Sequence, residues 1–347
     1  MQSVFDGHND TLLRLWQAGD HQGRRFLDGD GDGHIDLPRA RAGGMVGGFF
    51  AIYVPGSDGF LPDPDDSAVA DESPIGPVDS TRARRIALEM AAILLRMCKA
   101  QPDVIRLCRT ASDIVQAEAD AAIAAIMHME GAEAIGPDLS ELEVLYAAGL
   151  RSVGPVWSRP NIFGTGVSFR FPGDAEEGPG LTDAGKSLIK ACNSMGILVD
   201  LSHMNAAGFR DIARLSDKPL VATHSNAHSL SNSSRNLMDW QLDAIADSKG
   251  VVGLNFAVPF LRDDGRQTAD TALTVMVRHL DYLIGRLGEE GVALGSDFDG
   301  ALVPAEIGDV AGLPALVGAM RQAGYGDELV DRICRRNWHD VLERTIG

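Results

Sequence analysis

The sequence predicts a closed (β/α)8 barrel of the TIM type, with its functional residues at the C-terminal ends of the strands. Three observations predict it. Eight short apolar runs bounded by turn residues recur along the chain, helical patterns fill most of the intervals, and His or acidic residues repeatedly stand where a run ends. Alternating strands and helices make a parallel sheet, and eight repeats suffice to close it. A doubly wound open sheet is the structural alternative, but no Gly-x-Gly-x-x-Gly follows the first run.

The runs are residues 3–5, 47–54, 124–129, 150–154, 196–200, 220–223, 250–256 and 292–296. Short and apolar, they read as strands buried on both faces. A long amphipathic helix is predicted over 79–99, opened by Asp79 and Ser80, and a shorter one over 140–148. Thr182 is the N-cap of a helix over 182–194, with Asp183 facing the positive end of its dipole. Residues 206–215, 239–248, 270–287 and 327–343 complete the helical set. Two long loops, 55–77 and 157–180, follow strands and so belong to the face where barrel sites are built. No repeat or linker divides the 347 residues, which read as one domain, 1–347.

The formal charge of −18 argues against nucleic acid and against anionic membrane surfaces. No stretch is apolar enough to span a bilayer, and Asp6, His8 and Asp10 interrupt any leader-like start, so a cytoplasmic protein is expected. Cys98, Cys108, Cys192 and Cys334 form no CxxC pair and are read as reduced thiols. The run Asp28 to Asp36 imitates the start of an EF-hand, but Arg39 stands where a bidentate Glu is required and Pro38 precedes it. It reads as an acidic turn in which glycines supply positive φ.

His8 and Asp10 leave the end of the first strand two residues apart, which puts imidazole and carboxylate on one side. A nitrogen and a hard oxygen so placed can hold a divalent cation. Glu130 ends the third run, either as a surface or capping carboxylate or as one that bridges two metals at the barrel mouth. His203, His224 and Asp297 end the fifth, sixth and eighth runs. One such His is commonly structural, but acids and imidazoles at so many corresponding strand ends converge on one ring. His128 points inward by alternation with Glu130, and the other histidines read as loop or helix residues.

The chain resembles the membrane (renal) dipeptidase family of metallopeptidases, within the amidohydrolase superfamily. The runs that carry the resemblance are Asp6-Gly7-His8-Asn9-Asp10, Met129-Glu130-Gly131, Asp200-Leu201-Ser202-His203, Thr223-His224-Ser225, Ser234-Arg235-Asn236 and Gly295-Ser296-Asp297-Phe298-Asp299-Gly300. The resemblance implies two zinc ions: His8 and Asp10 on one, His203 and His224 on the other, and Glu130 bridging them. It gives Asp297 the catalytic acid–base role and Arg235 the substrate's carboxylate, which a guanidinium fork suits. One departure stands out. Trp157 occupies the place of a family His that helps hold the substrate carbonyl, so Arg159 or Asn161 of the same loop becomes the candidate substrate-binding group.

The function expected is hydrolysis of dipeptides by a hydroxide shared between two zinc ions, with Asp297 moving its proton. The alternatives are another binuclear amidohydrolase, a lactonase or N-acyl-amino-acid hydrolase, and a non-catalytic metal-binding protein. Short dipeptides are the expected partners, no nucleic acid or membrane is, and a homodimer is left open.

Overall fold

The computed structural model describes residues 1–56, 75–176 and 178–347. Its described residues form nine strands: β1 (Val4–Asn9), β2 (Met45–Tyr53), β3 (Ile105–Leu107), β4 (Ile123–Glu130), β5 (Leu150–Gly154), β6 (Leu198–Val199), β7 (Val221–Ala222), β8 (Val251–Asn255) and β9 (Val292–Gly295). All the paired strands are parallel. One sheet runs β1-β2-β4-β5-β6 and a second runs β7-β8-β9. Single parallel bridges, Asp200 to Val221 and Asn9 to Phe298, join the two sheets into a ring. The closed barrel is therefore present, and every predicted run supplies one of its eight staves.

β3 is the addition. Its three residues pair with the first residues of β4, whose later residues pair with β5. A strand so short carries no readable alternation. Helices Thr11–Gln17, Leu37–Gly43, Ala111–Ala119 and Leu313–Gln322 were also not predicted. In Ala111–Ala119 only Ile114 and Ala117 are buried, so its apolar stripe is too thin to read, although Thr110 and Asp113 close its first turn reciprocally. The predicted 327–343 helix is interrupted. Asp327–Asp331 and Asn337–Thr345 flank a widened turn at Arg332–Arg336.

The other helices follow their patterns. Ser80–Ala100 is capped by Asp79, which accepts from Arg82 N, and buries Ala83, Ile86, Ala87, Met90, Ile93, Leu94 and Met97. Asp183–Met195 is capped by Thr182, as expected, and ends at Gly196 with φ 68. The barrel floor is packed by Phe5, Phe49, Ile126, Leu198, Val221, Val251 and Ala293, closed from below by Trp338. A side chain at Gly7 would meet the Trp338 ring and the carbonyls of Thr223 and Leu294, so the floor admits none there.

The 28–36 segment is an acidic turn. Gly29, Gly31 and Gly33 have φ of 80, 71 and 60, and Asp36 caps Leu37–Gly43. Arg39 pairs with Asp36 and Asp309. Cys98, Cys108, Cys192 and Cys334 are all unbridged. No helix among the described residues is long and apolar enough to cross a membrane. Most of the loop predicted over 55–77 lies outside the described residues.

Candidate metal centre

At the C-terminal rim, β1, β4, β6, β7 and β9 end in His8, Glu130, His203, His224 and Asp297 or lead directly into them. His8 reaches the rim through a bulge. β1 has one more residue than β2 between the Asp6–Gly48 and Asn9–Phe50 pairs, and such an insertion re-aims side chains. His203 and Asp297 have φ of 65 and 59, a left-handed backbone that costs a non-glycine residue on the order of 1 kcal/mol or more and that clusters at functional sites.

The two oxygens of Glu130 divide the site. Oε1 lies 2.9 Å from His203 Nε2 and 3.4 Å from His224 Nε2, and those two nitrogens are 3.1 Å apart. Oε2 lies 3.7 Å from His8 Nε2, which is 3.5 Å from Asp10 Oδ2. Ligands around a tetrahedral zinc with bonds near 2.0–2.1 Å are separated by about 3.3 Å. The donors are thus spaced as a cation on each side of Glu130 would require. His8 Nδ1, His8 Nε2 and Asp10 Oδ1 are buried and lack hydrogen-bond partners among the described residues, a costly state that a cation relieves at Nε2 and Oδ1.

Electrostatics agree with that fit. Burial, then the charges of nearby Arg235 and His8, hold His203 and His224 well below the usual histidine range, so both imidazoles are neutral, the form a metal ligand requires. Burial also lowers His8, but Glu130, Asp10 and Asp297 outweigh it and push His8 up to about 10. The pocket on that side attracts positive charge. Burial raises Glu130 and Asp297, with Asp10 adding repulsion to each.

Asp297 is steered by a residue that sequence reading missed. Asn255, at the end of β8, donates from Nδ2 to Asp297 Oδ2 at 2.9 Å, while its Oδ1 accepts from Ala257 N. An amide closing the apolar run 250–256 was the available signal. Gly300 has no room for a Cβ, which would run into the carboxylates of Asp10 and Asp297. Arg235 is buried, donates to His224 O at 3.1 Å, lies 5.5 Å over the Phe260 ring and has an Nε without a partner among the described residues.

The loop after β5 crosses His203, whose carbonyl accepts from Val167 N. Trp157 is packed there, its ring 5.7 Å from that of His203, 5.0 Å from Tyr53 and 5.3 Å from Phe169. Phe169 stacks on Phe260 in turn, so an aromatic wall runs from Tyr53 to the Arg235 end of the site. Arg159 is buried and largely committed: Nε pairs with Glu133 at 2.6 Å and Nη2 donates to Val54 O, while Nη1 has no partner among the described residues. Asn161, the other candidate of this loop, lies in a turn of its own. Its Nδ2 donates to Pro155 O and its Oδ1 accepts from Phe163 N and Gly164 N, so its amide shapes that turn.

A family model described as membrane dipeptidase (peptidase family M19) matches residues 1–346. A metallo-peptidase from Rhodobacter sphaeroides, solved with a phosphinate mimic of the dipeptide L-Ala-D-Ala, is 51% identical, with a TM-score of 0.95 over 99% of each chain. An uncharacterised protein in the pqqA 5′ region of Klebsiella pneumoniae is 49% identical over 260 residues, 75% of this chain and 96% of its own. The probable dipeptidase PvdM from Pseudomonas aeruginosa shares the fold at 21% identity, with a TM-score of 0.82 over 99% of this chain and 96% of that one. With almost every residue inside the family model and a barrel rim that gathers its acids and imidazoles around Glu130, this chain belongs to the membrane dipeptidase family, peptidase family M19.

Proposed function

We propose that this protein is a two-zinc dipeptidase that cleaves the single peptide bond of dipeptides. The observation that carries the reading is the division of Glu130, with one oxygen toward His8 and the other toward His203 and His224. His8 and Asp10 would hold one zinc, His203 and His224 the other, and Glu130 both. Bound there, the ions would polarise the scissile carbonyl and make water nucleophilic at neutral pH.

The chain's own groups do the rest. Arg235 receives the free carboxylate of the substrate through nitrogens that the fold leaves only lightly engaged. A clamp at a set distance from the metal ligands favours short substrates with a free C-terminus. Asp297, oriented by Asn255, accepts a proton from the attacking water and returns it to the leaving amine. Arg159 braces the aromatic wall, 5.0 Å from the Trp157 ring and 5.4 Å from the Tyr53 ring. The Rhodobacter relative's dipeptide-mimic ligand supports the substrate class.

The second reading, another binuclear hydrolase acting on lactones or N-acyl amino acids, draws on Trp157 at the place of the family His. Elemental analysis of the zinc-reconstituted protein, with amino-acid release from a dipeptide panel, tests the proposal. Two zinc ions and dipeptide turnover are expected. Zinc at one or fewer per chain defeats the binuclear reading, and turnover of lactones or N-acyl amino acids without dipeptides favours the alternative.

A further inference from the structure

The barrel ring has two seams, β6 to β7 and β9 to β1, where the backbone ladder is reduced to single bridges. The same side-chain device spans both. At the first seam Asp200 Oδ1 accepts from Thr223 N at 2.8 Å and its Oδ2 accepts from Thr223 Oγ1 at 2.6 Å. At the second, Asp6 Oδ1 accepts from Ser296 N at 2.7 Å and its Oδ2 accepts from Ser296 Oγ at 2.9 Å. Each carboxylate thus clasps the N–H and the hydroxyl of one residue on the neighbouring strand. In both cases the next residue belongs to the site, His224 after Thr223 and Asp297 after Ser296. Each aspartate also precedes a histidine of the site, His8 after Asp6 and His203 after Asp200. Both are buried, and Asp200 also accepts from Ser202 N at 3.0 Å, next to His203.

We propose that Asp200 and Asp6 are positioning residues: the two clasps register the site residues across the two seams, and the Asp200 clasp also sets the tautomer of His224. The tautomer follows from donor counting. A carboxylate only accepts, so Thr223 Oγ1 gives its one proton to Asp200. Thr223 Oγ1 must then accept from His224 Nδ1, 2.8 Å away. The ring proton is held on Nδ1, and the Nε2 lone pair is left facing Glu130 and His203. Hydroxyl and carboxylate together do what a carboxylate does when it directly orients a metal-binding histidine. The inference rests on the two-zinc reading for what Nε2 faces, but not for the tautomer itself.

The test uses the full chain, stripped of metal and titrated with zinc against a fluorescent chelator, as wild type, Thr223→Val, Thr223→Ser and Asp200→Asn. Nitrogen NMR of the ring in the metal-free protein reads the His224 tautomer. Thr223→Val keeps the shape and removes the relay, so one zinc should bind about 10–100-fold more weakly. Thr223→Ser keeps the hydroxyl and should retain affinity near that of the wild type. In Asp200→Asn the amide donates to Thr223 Oγ1, which turns its own proton toward Nδ1 and moves the ring proton to Nε2, so the tautomer signal should invert. Asp6→Asn should weaken the other zinc. Wild-type affinity for both ions and an unchanged tautomer in Thr223→Val would overturn the proposal. The Val and Ser pair decides even if Asp200→Asn does not fold. A wild type that takes up no zinc defeats the metal reading alone, because the tautomer spectrum still reports the clasp.

Discussion

Asp297 combines a left-handed backbone, a half-buried carboxylate and a single steering amide, Asn255. Burial favours its neutral form, which suits a group that takes up and returns a proton. Asp297→Asn should keep zinc near wild-type stoichiometry and lower kcat by roughly 10²–10⁴, because a carboxamide cannot accept the proton. Near-normal kcat with full metal would remove Asp297 from that role. Arg235 is tested by a contrast between substrates. Arg235→Met should raise KM for dipeptides, a loss of about 2–5 kcal/mol for a buried charge pair, and affect dipeptide amides far less. Equal losses in kcat/KM on the two substrates would mean that Arg235 supports the loop instead. These residues were legible because strand ends and motif order announce them. The steering role of Asn255 and the hydroxyl of Thr223 as a link between Asp200 and His224 were not, since which partner an amide or hydroxyl takes is settled only by the fold.

At the scale of elements, the segments around the site are tied down by buried polar contacts. His279, on helix Leu273–Leu287, accepts from Ala227 N through Nδ1 at 3.3 Å and donates from Nε2 to Leu261 O at 3.0 Å. It joins that helix to the loop carrying Arg235 and to the short helix Val258–Leu261. Burial, against the carbonyl of Leu261, lowers its pKa to about 4. The unfolded value is near ~6.5, so below it the unfolded chain binds the extra proton. His279's contribution is complete above about pH 6.5 and is lost as the pH falls toward 4, by at most about 3 kcal/mol. His279→Gln should flatten the fall in stability across that window, read from urea unfolding at a series of pH values. Parallel pH profiles for the two proteins would exclude His279 as a contributor. The bulge in β1 belongs to this scale too. Strand alternation put His8 and Asp10 on one side, but the extra residue that turns His8 to the rim is set by pairing with β2.

Across the whole molecule, folding gathers Asp10, Glu130 and the half-buried Asp297 with His8, His203 and His224 at one rim. Carboxylates crowded in this way repel one another unless a cation sits among them, so a metal bound there would couple its binding to folding. An ion held at 100-fold above its dissociation constant adds about 2.7 kcal/mol, and each kcal/mol moves Tm by roughly 2–4 °C in a domain of 150–250 residues. Removal of zinc by a chelator should therefore lower Tm by several degrees, and added zinc should restore it. A Tm that ignores verified metal removal would separate the site from the stability of the barrel.

The sequence alone determined the eight staves, the barrel class and the strand ends at which the acids and imidazoles stand, because buried strands and strand-end polar residues are local patterns. It also carried the family, through short motifs in order. Tertiary structure decided what depends on residues distant in the chain. Asp6 meets Ser296 across 290 positions, Arg159 is taken by Glu133 and Val54, and Asn161 is spent on its own turn. The division of Glu130 between His8 on one side and His203 and His224 on the other appears only when eight strands close into one ring. A local pattern can say which residues reach the rim, whereas hydrogen-bond partners, tautomers and ligand spacing belong to the closed ring as a whole.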